Sequence, residues 1–192
     1  MPLSKRNPRR KSSSRVDNTS QTDEIIKKLA GGNRRSIGKS NEVAREISRS
    51  PRLFASAFEA MLRDDCVLRM RAADAIEKAA AMRPELLQPF KAKLLREVSA
   101  IKQQEVRWHV AQMLPRLRLT ARERDYATAI LFDYLEDKSS IVRTFAMQAL
   151  GELAMQDRRL RSGVIPLLER LTEGGTPAMR SRGRELLKLL QQ

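Results

Sequence analysis

The chain has 192 residues, of which 32% are charged and 4% aromatic, and its formal charge is +15 at pH 7. So few aromatics, beside abundant Ala, Leu, Arg and Glu, disfavour a β-rich domain and favour helices, while the charge implies solubility and attraction to polyanions. One cysteine, Cys66, excludes an internal disulfide and points to the cytoplasm, and no apolar run reaches the ~18 residues of a membrane span.

Residues 1–40 hold eleven Lys or Arg, three acids, eight apolar residues and no aromatic one. Such a segment cannot bury enough apolar surface to offset the entropy of ordering it. It is expected as a basic tail and linker, disordered over 1–21. A short helix is signalled over 22–30, with Thr22 as N-cap and Gly31-Gly32 as its stop. The N-terminus has no apolar segment behind its charges, so it does not read as a secretory signal. Residues 32–40, GNRRSIGKS, look like a phosphate-binding loop but are one residue too long for G-x-x-x-x-G-K-[ST] and follow no strand. The plainer expectation is a flexible linker with Ser40 capping the next helix.

From residue 41 to 192 the apolar periodicity is helical throughout. Within it, Leu68-Arg69, Val106-Arg107, Val142-Arg143 and Met179-Arg180 align at arginine spacings of 38, 36 and 37 residues. Counting from the residue before each arginine, offsets 0, 4, 7, 8 and 11 give Leu68, Ala72, Ala75, Ile76 and Ala79, then Val106, Val110, Met113, Leu114 and Leu117. The third unit gives Val142, Ala146, Ala149, Leu150 and Leu153, and the fourth Met179, Gly183, Leu186, Leu187 and Leu190. None of these is polar, and the offsets trace one face of an α-helix. A second apolar-periodic segment precedes each: 51–62, 84–98, 121–135 and 160–172. Thr120 with Glu123 reads as a capping box and Thr176-Pro177 as a helix start. The unit is therefore helix A, tight turn, helix B.

These residues resemble the HEAT-repeat (armadillo-like) family, of the short stand-alone bacterial kind. The marks are the V-R-x-x-A-x-x-A-L run, clearest over 142–150, and a preceding acid, as at Asp64, Asp65 and Asp137. The second unit departs with Gln103-Gln104 and the fourth with Gly174-Gly175. The resemblance implies an all-α, right-handed α-solenoid of about four units (about 51–82, 84–118, 120–155 and 158–192), with 41–48 closing a partial leading unit. Stacked pairs share a continuous core and need polar ends. The family is specific for fold and nearly silent on activity.

Three sets of side chains stand out. The family resemblance implies that Arg69, Arg107, Arg143 and Arg180 form a structural ladder to turn acids. It also implies that B helices line a concave face, which would place Met70, Asp74, Trp108, His109, Gln112, Thr144 and Gln148 in a solvent-facing groove suited to a protein partner. Trp108 either anchors that partner or folds over a neighbouring helix. On the edge where one unit joins the next, Arg116, Arg118, Arg122, Arg124, Arg158, Arg159 and Arg161 form a candidate polyanion site. The lone histidine has no cysteine or second histidine for a metal site, and no acids pair for catalysis near Trp108. No catalytic residue, cofactor or metal is expected. The family's DNA glycosylases are a remote comparison, with one tryptophan against them. The leading expectation is a scaffold that docks a protein in the groove, and the alternative is nucleic-acid binding through the tail and the basic edge.

Overall fold

The computed structural model describes residues 13–192, with side chains from Ser20 onward, and all regular structure among them is helical. Helix α1 spans Ser13–Leu29, α2 Ser40–Ile47, α3 Pro51–Ala60 and α4 Cys66–Met82. The next segment expected as one helix is broken. It runs as a 3-10 turn over Pro84–Phe90, one α turn over Lys91–Lys93 (α5) and a π turn over Leu94–Val98. Pro89 explains the break, because it has no N–H to donate and its ring crowds the preceding turn. Then follow α6 (Gln104–Met113), α7 (Ala121–Leu135), α8 (Ser140–Gln156), α9 (Arg161–Gly174) and α10 (Pro177–Leu190).

The helix starts are chemically determined. Ser50, Asp65, Thr120, Ser139 and Thr176 each accept a backbone N–H of the first turn, and Thr120 and Glu123 complete the capping box. Gln103, where the acid is missing, makes no side-chain cap. Ser40 does not cap either: its hydroxyl donates to the carbonyls of Ile37 and Arg71.

Packing follows chain order. Helices α2, α4, α6, α8 and α10 each lie against the next, while α3 backs α4, α7 backs α8 and α9 backs α10. Of the twenty positions picked by the repeat offsets, nineteen are buried and Leu187 is half-buried. Glycine at position 183 has a packing reason, since a Cβ there would overlap Thr172 Oγ1 and Met147 Cε. Phe58 and Phe90 stack at 4.5 Å between ring centroids, closing the core beneath the irregular 84–98 segment.

The helix signalled over 22–30 lies within α1, but residues 13–21 differ from the tail expected. Met1–Ser12 lie outside the described residues. From Ser13, however, α1 is a helix of 17 residues packed on α3, α2 and α4, with Ile25 and Leu29 fully buried. Its apolar surface is small, and what holds it is polar. Lys28 reaches Glu46 at 2.6 Å, Glu42 at 3.0 Å and Glu24 at 3.2 Å, and Glu46 above all holds its ammonium well above the usual lysine range. Arg71, a residue of α4 only 5% exposed, donates to the carbonyls of Leu29, Ala30, Gly31, Asn33 and Ser36. The helix therefore ends on a cation, which suits the negative end of its dipole.

Leu114 and Leu150 are both fully buried. Replacing either by Ala should cost about 2–5 kcal/mol in urea-melt stability, and a cost under ~1 kcal/mol at both would contradict the packing described.

Candidate functional site

The seven B-helix residues expected to line an open groove fall into two sets. Met70, Asp74 and His109 are buried, so they do not line one. Helices α2 and α6 flank α4 on both sides, and Lys78 bridges Asp74 to Asn41 of α2, each at 2.7 Å. Trp108, Gln112, Thr144 and Gln148 are partly exposed. Trp108 packs against the core from its edge, its ring 5.6 Å from that of His109. Thr144 donates to the Ser140 carbonyl, and Gln148 is held between Glu152 and Arg182. Further along, Arg34 of the 30–39 loop reaches Glu105 at the start of α6, at 2.6 Å. Burial alone would raise the Glu105 carboxyl, but Arg34 holds it below the usual carboxylate range.

His109 is the most perturbed group on this face. Its Nε2 stands 3.7 Å from Asp74, beyond hydrogen-bond reach, and its Nδ1 is buried without a partner. Burial outweighs the attraction of Asp74 and pushes the ring down to about 4, so it is neutral at pH 7. Among the described residues no group of three His, Cys, Asp or Glu could hold a metal ion.

The arginine ladder to turn acids is present at one rung. Arg107 is buried, meets Asp137 at 2.8 Å and Asp133 at 3.0 Å, and lies over the Tyr134 ring at 4.7 Å. Tyr134 in turn donates to the Ser99 carbonyl. Arg69 reaches the equivalent point of the next turn but finds Gln103 there, at 3.3 Å, with Asp64 only at 3.7 Å. Arg180 donates to the Gly175 carbonyl. Arg143 meets no acid among the described residues, and the next turn on offers only Gly174-Gly175. The ladder expected from the resemblance fails wherever the turn lacks its carboxylate.

The basic edge divides by use. Arg116 binds the Glu77 carboxylate at 2.6 Å and its carbonyl at 2.8 Å. Arg124 binds Asp157 at 2.9 Å, and Arg161 donates to the carbonyls of Ala154 and Leu190. All three are engaged within the protein, Arg116 and Arg124 by carboxylates and Arg161 by carbonyls alone. Arg159 is exposed but also tied to Asp157, at 2.6 Å, and these two arginines hold that carboxyl far below its usual range. Arg118, Arg122 and Arg158 are exposed and meet no acid among the described residues. The connection of α2 to α3 adds Arg49 and, in the first turn of α3, Arg52, both exposed and likewise without an acid, which no repeat position or charge run in the sequence marks out.

No family model matches the chain, and no curated protein matches it. Among solved structures it is similar to an engineered protein whose crystal structure was determined by the Northeast Structural Genomics Consortium. The two are 13% identical with a TM-score of 0.58, over 93% of this chain and 82% of that one. At that identity the likeness is one of fold alone.

The His109 environment sets a pH dependence. An unfolded histidine takes up its proton near pH 6.5, whereas here it does so only near 4. Between those values the unfolded chain binds more protons, so stability falls as pH falls through 6.5 towards 4, by about 3 kcal/mol in full. His109→Gln should remove that part of the slope in urea melts run from pH 7 to 4. An unchanged slope would show that the ring protonates freely in the folded protein.

Proposed function

We propose that the protein is a non-catalytic binding module, a right-handed α-solenoid of about four HEAT-like units led by the α1–α2 pair, and that it holds nucleic acid along the edge where successive units join. The packing order of α2, α4, α6, α8 and α10 and the burial of the repeat offsets support the solenoid reading. One observation carries the ligand reading. The acids of that edge are nearly all engaged within the protein: Glu77 by Arg116, Glu85 by Arg83, Glu123 by Lys91 and Asp157 by Arg124 and Arg159. Asp125 is the exception. What remains exposed is Arg49, Arg52, Arg118, Arg122 and Arg158, in or beside three of the connections between successive helices.

Arginine suits phosphate because its planar fork donates two parallel hydrogen bonds. A row of unpaired guanidinium groups would attract a polyanion and position it without reading bases. A protein partner on the B-helix face is the second reading, favoured by the partly exposed Trp108. Its support is narrower, since Met70, Asp74 and His109 are buried.

Reversing Arg118, Arg122 and Arg158 together to Glu in the full chain should leave the melt unchanged. It should also flatten the dependence of log K on log salt for a 20-base-pair duplex by roughly 2–3, at about 0.9 for each phosphate no longer neutralised. The basic residues before Ser13 contribute equally to both proteins, so the difference belongs to the edge. Equal slopes for wild type and variant would sink this reading.

A further inference from the structure

Between the 91–98 segment and the first half of α7 lies a cleft of about 780 Å³, in the size range of small-molecule sites. Leu95, Arg96, Arg122, Asp125 and Tyr126 line it. Tyr126 is 49% exposed and borders the cleft, whereas Phe132 of the same helix, 44% exposed, does not line it and Tyr134 two turns on is fully buried. Arg96 and Arg122 are exposed and meet no acid among the described residues. Glu123, which also borders the cleft, is already claimed by Lys91 at 2.7 Å and by the Thr120 N–H at 2.8 Å. The capping box takes the N–H groups of Thr120 and Glu123, and the charge that attracts an anion comes from the guanidinium groups. Asp125 is the one lining carboxylate without a partner.

We infer that this cleft seats a single-stranded segment of nucleic acid. One base stacks on the Tyr126 ring over Leu95, the flanking phosphates lie on Arg96 and Arg122, and the strand continues past Arg118 toward Arg158. This rests on the nucleic-acid reading of the edge and refines it. A base can offer its face to a side chain only when it has left a duplex stack. A basic groove beside an exposed aromatic is the arrangement that holds single strands with little sequence preference. Asp125, repulsive to phosphate, can accept an N–H from the edge of a stacked base, such as N3–H of thymine. An acidic peptide would gain the arginines but lose the ring, and would meet Asp125 as a like charge.

The test uses the full chain, a labelled 12-nucleotide oligothymidylate and a labelled duplex, read by fluorescence anisotropy at low salt. Tyr126→Ala should weaken the single strand roughly tenfold, with Tyr126→Phe within about twofold of wild type and the duplex unaffected by either. Arg96→Gln and Arg122→Gln should each lower the single-strand salt slope by about 0.7. Tyr126 is exposed, so both tyrosine variants should melt as wild type does. If Tyr126→Ala binds oligothymidylate as tightly as wild type, the cleft is not the seat of a base. Should the Arg118, Arg122 and Arg158 reversal still flatten the duplex slope in that case, the edge reading survives alone. Polyglutamate competing as well as unlabelled oligothymidylate would also overturn the inference, because the surface would then select charge only.

Discussion

The Arg71 guanidinium is 5% exposed and faces no carboxylate among the described residues, so its burial is tolerable only while carbonyl oxygens surround it. Leu29, Ala30, Gly31, Asn33 and Ser36 supply them, and the chain bends to do so. Gly31, Gly32 and Gly38 all have positive φ, between 54° and 74°, a region other residues enter at a cost. At Gly38 a Cβ would come within 2.8 Å of the Arg71 guanidinium carbon. A phosphate-binding loop turns its N–H groups inward to an anion. This glycine-rich loop resembles one in sequence and does the reverse, turning carbonyls inward to a cation. The beginning of the described chain depends on that exchange. With Arg71 satisfied, α1 lies on α3, Lys28 reaches α2, and Arg34 reaches Glu105 at the start of α6.

How much of this could be read from the sequence follows from the range of each interaction. The buried face of the B helices was legible because it repeats every 36–38 residues, and Val110, Leu114 and Leu150 fall where the offsets put them. Capping at Thr120 and Thr176 was legible because its partners lie three residues apart. Arg71 was not, since its partners lie 35 to 42 residues back and are backbone atoms, which carry no sequence mark. Composition gave the wrong weight to residues 13–21, which extend the helix signalled over 22–30, for the same reason. A segment poor in apolar residues can still dock when a neighbouring helix offers it a buried donor. At Pro89 the missing N–H breaks the helix although the apolar period runs on to either side of it.

The basic edge illustrates a related limit. Counting charges along the chain ranks Arg116, Arg118, Arg122, Arg124, Arg158, Arg159 and Arg161 alike. Tertiary pairing separates them, through contacts such as Arg124 with Asp157 and Arg116 with Glu77, 33 and 39 residues apart. These pairs are partly buried and tie one helix pair to the next. They also act on the electrostatic surface: they cancel the edge's acids and leave an excess of unpaired guanidinium. The functional reading depends on that subtraction more than on the net charge of the chain. On the B-helix face burial acts in the opposite sense, withdrawing Asp74 and His109 from any ligand and leaving Trp108 as the main feature in view.

That the N-terminal segment belongs to the folded body, and is fixed there by Arg71, is best tested by amide hydrogen exchange on the wild-type protein and on Arg71→Leu. The amides of residues 25–30 should be protected in the wild type and exchange freely in the variant, while those of α6, α8 and α10 stay protected in both. Free exchange over 25–30 in the wild type, or undiminished protection there in Arg71→Leu, would contradict that role for Arg71.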